Sequence, residues 1–468
     1  MMNRDTVLLI NPWIHDFAAY DLWLRPMGLL YLAGRLRRCG FEVHWVDCLD
    51  RHNPRLLERQ KRSSPAGKPD GRGKFYKEEI PKPAILRGIP RRYGRYGLPP
   101  DIFLEELASV PRPRLVLVTS GMTYWYPGVQ ETIRVTREVF PEARIVLGGT
   151  YATLLPEHAR AHSGADCVVE GSDVARLSEI LEEATGRGIP PPSDGCFPSE
   201  ECETAGEDAC ATADKPAYDL LRNTSSMVVH SSWGCPFQCT YCASWRVSGQ
   251  FRQRDPRRVV DEIALLHERY QTRHFAFYDD ALLFARDGHF QPMMQEIIRR
   301  KISATFHTPN AVHPRFIDAA VAALMREANF QTIRLGLETT SPNSQLRSGN
   351  KVTVSEFAQA VSFLDGAGYP RKSIEVYAMM GLPGQEAKEV RETLRFVNGE
   401  GCTIRLVCYS PIPGTVEWEQ AVAWSVLPLT TDPLLHNPSV YPVRNSEMSW
   451  GVYEELKTLA AELNSTLR

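Results

Sequence analysis

The sequence predicts an α/β protein in three parts: a Rossmann-like, doubly wound N-terminal domain, a partial (βα)6 TIM barrel, and a small C-terminal helical cover. Two observations predict it. Short apolar runs alternate with helical patterns through both halves of the chain, as parallel strands joined by helices do. A stretch rich in Pro, Gly, Ser and acids, Gly186–Asp214, separates the halves. The implied domains are 1–186, with a basic insertion at about 50–100, a linker over 187–223, a core over 224–420 and an extension over 421–468. A chain of 468 residues with 43% hydrophobic and 24% charged side chains excludes collagen-like, low-complexity and disordered classes. A net charge of −2 gives no reason to expect nucleic acid or an anionic membrane as partner. No apolar run approaches the ~18 residues of a spanning helix. Eleven Cys, odd in number and scattered except for one cluster, suit a reducing cytoplasm and a metal or catalytic thiol site better than a disulfide framework.

Along the first half, Thr6–Ile10 is a short apolar run ended by Asn11-Pro12, as in a buried parallel strand. A helix follows at Met27–Cys39, where Leu29, Leu30, Leu32, Ala33 and Leu36 share one stripe and Gly40 supplies a left-handed stop. Phe41–Val46 resumes as strand. Strands at Leu115–Thr119, Arg144–Leu147 and Cys167–Val169 then alternate with helices at Val129–Phe140, Leu154–Ala161 and Val174–Ala184. Such sheets bind ligands at the carboxyl ends of their strands, here Thr119-Ser120-Gly121 and Gly148-Gly149-Thr150. Small and hydroxylated residues there suit close ligand approach or, equally, tight turns. Arg59–Arg95 carries twelve Lys or Arg against Asp70, Glu78 and Glu79, and reads as a long solvated loop in preference to a cover for an anionic ligand or partner.

In the second half, the strand Met227–His230 leads into a segment that places Cys235, Cys239 and Cys242 within eight residues. A loop leaving a strand end can wrap three thiols round one corner of an iron–sulfur cluster, and three ligands on a four-iron cluster leave one iron open to a substrate or cosubstrate. The spacing is poor for zinc held by two Cys-x-x-Cys knuckles. Zinc bound by these thiols and a distant His, or buried thiols unrelated to metal, are the alternatives. Strands at Phe275–Tyr278, Ala304–His307, Thr332–Leu337, Ile374–Met379 and Ile404–Tyr409 then alternate with helices at Arg258–Tyr270, Asp287–Arg300, Phe316–Glu327, Val354–Ala367 and Lys388–Glu400. With the strand before the cysteines, that makes six βα units of an incomplete barrel, whose chemistry sits at the carboxyl ends of the strands.

Cys-x3-Cys-x2-Cys with Tyr241 before the last Cys resembles the signature of the radical S-adenosylmethionine (SAM) superfamily, and the resemblance extends from about Thr224 to Gln420. It implies that Cys235, Cys239 and Cys242 hold a [4Fe–4S] cluster whose open iron takes SAM, and that SAM is cleaved to a 5′-deoxyadenosyl radical. Phe237 and Tyr241 would then shield the cluster and pack near the adenine. Tyr278-Asp279-Asp280 occupies the place of the motif that meets the SAM amino group, with either Asp able to supply the carboxylate. Arg334 and Glu338 resemble the fourth-strand segment that reaches the SAM carboxylate or ribose. Met380-Gly381-Leu382-Pro383 resembles the fifth-strand segment that lies against adenine, and Asn310 follows the third strand.

The first half is similar to the cobalamin-binding domain placed before many radical SAM cores. The matching features are Leu8–Pro12, Arg25–Ala33, Gly148–Thr153 with Pro156-Glu157, and Val169-Glu170-Gly171. The resemblance implies cobalamin contacts at Asn11, Pro12, Ser120, Gly121, Gly148, Gly149 and Thr150. Asn11-Pro12-Trp13 stands where cobalamin enzymes with a protein His ligand carry Asp-x-His. Taken together, the resemblances imply a cobalamin-dependent radical SAM methyltransferase, or else a radical SAM enzyme of ring formation or rearrangement that uses cobalamin differently or not at all; a noncatalytic iron–sulfur or cobalamin-binding regulator is the third class, ranked below both. It would be cytoplasmic, act on a small molecule or peptide, and be served by an external reductase of flavodoxin or ferredoxin type. The segment Trp424–Val443 and a final helix, Glu447–Leu467, are expected to cover the substrate opening.

Overall fold

The computed structural model describes residues 5–171, 173–189 and 215–467. Ser172 and most of the expected linker, 190–214, lie outside the described residues. The chain divides into two compact units, Met1–Thr224 and Ser225–Arg468.

The first unit is built on a five-stranded parallel sheet. Its elements are β1 (Thr6–Asn11), α1 (Met27–Arg38), β2 (Glu42–Asp47), α2 (Pro100–Ala108), β3 (Leu115–Val118), α3 (Tyr126–Val139), β4 (Arg144–Leu147), α4 (Thr150–Leu154), α5 (Pro156–His162), β5 (Cys167–Val168) and α6 (Val174–Thr185). The strands lie in the order β5-β4-β3-β1-β2, the doubly wound arrangement whose chain direction reverses between β1 and β3 and leaves a ligand crevice there. Both faces are covered. Leu8, Ile10, Val116, Val118 and Ile145 pack on one side, and Val7, Leu9, Leu115, Leu117 and Val146 on the other, so these strands read as apolar runs without alternation.

Three expectations change here. The helix expected over Leu154–Ala161 is two short helices, because Pro156 forces Leu155 out of the helical region, to φ −134° and ψ 59°. Arg59–Arg95 is not a solvated loop. Gly94–Tyr96 pairs with Ile14–Asp16 and Lys77–Glu79 in an antiparallel sheet, Gly73–Lys74 pairs with Tyr20–Asp21, and Phe75, Leu86, Ile89, Tyr93 and Tyr96 are buried. Its cations are partly spent internally: Arg95 bonds Glu78 at 2.7 Å and Glu131 at 2.6 Å, and Arg72 lies 4.9 Å over the Trp23 ring. The end of the expected linker also belongs to this unit. Ala217 N donates to Leu30 O at 3.0 Å, and Arg222 bridges Asp50 and Glu106.

The second unit holds β6 (Ser226–Val229), α7 (Pro256–Tyr270), β7 (His274–Phe277), α8 (Phe290–Arg299), β8 (Thr305–His307), α9 (Ala319–Glu327), β9 (Phe330–Glu338), α10 (Pro342–Arg347), α11 (Val354–Gly366), β10 (Ile374–Met380), α12 (Ala387–Gly399), β11 (Thr403–Cys408), α13 (Val416–Trp424) and α14 (Trp450–Thr466). The six strands are parallel and lie in chain order, so all their carboxyl ends gather on one face. The helix expected from Phe316 starts at Ala319 instead, where the Asp318 side chain accepts from Val321 N and caps it. Helix α14 runs along the outer strand. Asn464 accepts from Ile404 N at 2.8 Å and donates to Ile404 O at 3.0 Å, giving the edge of β11 the pairing a seventh strand would give it. The segment between α13 and α14 packs Leu429, Leu435 and Val443 against Leu382 and Tyr409, next to the ends of β10 and β11. Among the described residues, no helix is long and apolar enough to cross a membrane.

Candidate functional site

The cysteine loop leaves β6 and is pinned at three points. At its base the Asp279 carboxylate, just beyond β7, accepts from the Ser231 amide at 3.1 Å and from the Ser231 and Ser232 hydroxyls, both at 2.6 Å. In the middle Thr240 donates its hydroxyl to Glu417 at 2.8 Å, and its carbonyl accepts from Glu417 N at 3.1 Å. On a third side Gly349 is pressed against it: a Cβ there would stand 3.2 Å from Cys239 Cα. The turn Cys239–Cys242 closes with Cys242 N donating to Cys239 O at 3.0 Å. Gly234, at φ +72°, fits because any Cβ would stand 2.8 Å from Gly249 O.

Cys235, Cys239 and Cys242 are free thiols, each half-buried. Burial pushes Cys235 up to about 11, and Asp280 and the other two thiols push in the same direction. Cys239 and Cys242 also rise with burial. Three neighbouring thiols that resist ionising together are suited to a cationic metal group. Among the described residues no three His, Cys, Asp or Glu converge on a single ion position. A four-iron cube bonds each of three thiolates through a different iron, and Cys235, Cys239 and Cys242 supply that donor set.

Around the thiols lie groups from four strand ends. Asp280 accepts from Ser244 Oγ through Oδ2 and has no further hydrogen bond among the described residues; burial raises its proton affinity. Glu338 ends β9 at φ 65°, beyond a register shift between Gly336 and Glu338, a conformation that costs about 1 kcal/mol or more for a side-chain-bearing residue and concentrates at functional sites. Its Oε1 accepts from Lys351 Nζ at 3.1 Å. The Phe237 ring lies 4.6 Å from that of His313, tilted by 37°, and burial and the Lys351 and Arg315 cations push that imidazole down to about 3. The Tyr241 hydroxyl is raised by burial and then by Glu338. Lys351 and His313 were missed by the sequence reading, since neither stands in a motif or a periodic pattern.

Several expected contacts are already taken by the protein. Asp279 anchors the loop base and so leaves Asp280 as the available carboxylate. Arg334 is buried in the sheet, donating to Glu375 at 2.7 Å and to the Tyr377 hydroxyl at 3.0 Å. Asn310 donates to Tyr278 O at 2.9 Å and ties two strand-end loops. The space beside Gly381 belongs to Tyr453, whose hydroxyl would lie 2.4 Å from a Cβ there, and Gln385 closes the same loop by accepting from Gly381 N at 2.8 Å. Met380 is buried at the end of β10. Leu382 and Pro383 line a pocket of about 530 Å³ with Thr240, Arg347, Val416 and Glu417.

In the first unit, the expected residues gather at the carboxyl ends of β1, β3 and β4. Ser120 donates to Gly148 O at 2.6 Å and accepts from Ala152 N at 3.3 Å, while its carbonyl accepts from Thr150 N at 2.9 Å. Gly149 sits at φ +89° with Ser120 O only 2.5 Å from its would-be Cβ. Gly121 faces the Trp125 ring, 2.7 Å from a would-be Cβ, whereas Gly148 has only Val169 O, at 3.8 Å, in that direction. Asn11 donates to Asp47 at 2.7 Å. Asp47 lines an open pocket of about 410 Å³ with Arg25, Asp50, His52 and Arg222, and burial, then Asp50, pushes its carboxyl up to about 7.

Comparison with known proteins agrees with both halves. The family model of the radical SAM superfamily matches residues 230–397, and that of the B12 binding domain matches residues 96–181. A protein of Pyrococcus horikoshii named uncharacterized methyltransferase PH0819 is 23% identical over 71% of this chain and 75% of its own length. The anaerobic magnesium-protoporphyrin IX monomethyl ester cyclase of Rubrivivax gelatinosus is 23% identical over 62% of this chain, which spans 55% of that protein. The radical SAM methyltransferase TsrM of Kitasatospora setae, solved with cobalamin and a [4Fe–4S] cluster bound, superposes with a TM-score of 0.65 at 18% identity, covering 98% of this chain and 91% of that one, and so shares its fold.

Proposed function

Because the chain belongs to the radical SAM superfamily and carries a B12-binding domain ahead of its radical SAM domain, we propose that it is a cobalamin-dependent methyltransferase of a carbon or other centre too unreactive for ordinary methylation. With a [4Fe–4S] cluster, SAM and cobalamin bound, these groups supply a 5′-deoxyadenosyl radical for hydrogen abstraction and a methyl group for transfer.

The chain's own residues position and protect. Cys235, Cys239 and Cys242 would hold three irons and leave the fourth for SAM. Asp280 would take the SAM ammonium on its free oxygen, and that partner would return a carboxyl raised by burial to its charged form. Glu338, with one oxygen on Lys351, would turn the other to ribose hydroxyls. Phe237 and Tyr241, on the same loop, would shield the cluster. In the first unit the side-chain hydrogen bonds of Ser120 are spent within the protein, so its strand ends offer a corrin shape and open backbone at Gly148. The substrate would be a small molecule or peptide, and the electron would come from a reductase of flavodoxin or ferredoxin type.

One observation carries this reading: a three-thiol loop at a strand end of a six-stranded parallel sheet, on the same chain as a B12-binding domain. Product analysis tests it. Methyl transfer yields S-adenosylhomocysteine together with 5′-deoxyadenosine. 5′-Deoxyadenosine alone would overturn methylation and favour the second reading, ring formation or another rearrangement, which the likeness to the Rubrivivax gelatinosus cyclase supports.

A further inference from the structure

The pocket at the end of β2 holds polar groups that the protein itself leaves unspent. Its apolar floor comes from Trp45, two residues before Asp47 on the same face of the strand, and from Leu220. Four of its charged side chains are taken up by one another: Arg51 pairs with Asp21 at 2.9 Å and Arg222 with Asp50 at 2.8 Å. Arg25 and Asp47 differ. The Arg25 side chain is only 12% exposed, and among the described residues it donates through Nη1 alone, to Leu24 O at 3.3 Å and to Asp21 at 3.5 Å. Asp47 Oδ1 accepts from Asn11 at 2.7 Å and from Leu49 N at 2.8 Å, while Oδ2 takes no hydrogen bond among the described residues.

A mostly buried guanidinium with idle donors is costly until a ligand satisfies it, and the same holds for an idle carboxylate oxygen. The two carry opposite charge, so a neutral guest leaves the pocket balanced. A group that offers an acceptor to Arg25 and a donor to Asp47 from one carbon atom is a primary carboxamide. The place of the pocket says where such a group can come from. Asp47 is the ladder partner of Asn11, one strand spacing of about 4.8 Å away, and Asn11 ends β1 beside the crevice where the sheet reverses. A corrin seated in that crevice carries amide arms around an apolar, methyl-bearing rim, and Trp45, Leu220, Arg25 and Asp47 present the matching mixture of surfaces.

We propose that this pocket is a carboxamide-binding subsite, with Arg25 donating to the amide oxygen and Asp47 Oδ2 accepting from the amide nitrogen. An arm of the corrin is one source of the amide, and that source rests on the B12 reading of this unit; a free small amide is the other.

The experiment uses the full chain in equilibrium dialysis against hydroxocobalamin, with corrin absorbance as the readout. Asp47→Asn, which puts an N–H donor where Oδ2 stood, and Arg25→Met are each expected to weaken binding about fivefold to tenfold. Corrins with a single arm amide hydrolysed to carboxylate separate recognition from a merely structural role. One such monoacid is expected to bind wild type about tenfold more weakly than hydroxocobalamin does, and Asp47→Asn, which can donate to the new carboxylate, is expected to recover most of that loss. Propionamide, titrated into wild type and Asp47→Asn and read by tryptophan fluorescence, tests the free amide: a saturable change in wild type alone assigns the pocket to that source. Should Asp47→Asn not fold, Arg25→Met decides, with weaker corrin binding sustaining the inference. If neither substitution and no monoacid alters corrin binding, and propionamide leaves the fluorescence unchanged, this inference is overturned while the cobalamin reading stands. Wild type that retains no corrin would overturn the B12 part of the proposed function, and propionamide alone would then decide the subsite.

Discussion

The strand ends of the two units use similar residues to opposite purposes. In the first unit Ser120, Gly148, Gly149 and Thr150 bind one another, so their hydroxyls and glycines mostly serve the closure of two loops. In the second unit the loop is held from outside, by Asp279, Glu417 and Gly349, and its three thiols remain without covalent partners. A site whose residues are held by others keeps its own groups for a ligand. One whose residues hold each other offers shape.

Substitutions sharpen that contrast. The largest effect is expected from Cys239→Ala, which should abolish the cluster absorption band and bring SAM cleavage to background while the thermal transition stays close to wild type; a full band would break the comparison. Gly149→Ala should do the reverse. A side chain forced to φ +89° against Ser120 destabilises by about 2–4 kcal/mol, read by urea denaturation, with iron content per folded chain unchanged. Asp280→Asn, which removes one charged partner of the SAM ammonium, should weaken SAM binding about tenfold to a hundredfold by equilibrium dialysis, whereas equal affinity would return the role to another carboxylate.

Asp47 gives the most pH-specific signal. Its carboxyl stands at about 7 in the folded chain against 3.8 otherwise. Between those values the folded form keeps a proton that the unfolded form has released, so stability falls as pH rises through that window, by at most about 1.4 kcal/mol per pH unit, and levels above it. Asp47→Asn should remove that part of the slope in denaturation measured across about pH 4–8.

Strands and helices were legible wherever the sheet buries both faces: Arg144–Leu147 stands where the apolar run places it, and the six strands of the second unit fall within a residue or two of theirs. The cysteine loop was legible because three thiols at that spacing have few other uses. What was hidden depends on contacts between distant segments. The basic count over Arg59–Arg95 obscured the dispersed Phe75, Tyr93 and Tyr96 that fold it. Gly381 reads as room for a ligand until Tyr453 is seen to fill it. Asp279 and Asp280 are indistinguishable in sequence, and only the hydrogen bonds to Ser231 and Ser232 separate anchor from available carboxylate. Lys351 needed Gly336 and Glu338 in space to acquire a meaning.

The most direct measurement is anaerobic reconstitution of the whole chain, followed by metal analysis and electron paramagnetic resonance of the reduced protein with and without SAM. The account predicts about four irons per chain, as a cube held by cysteines requires, and a spectrum that changes when SAM is added. Zinc in place of iron, or a cluster signal indifferent to SAM, would contradict it.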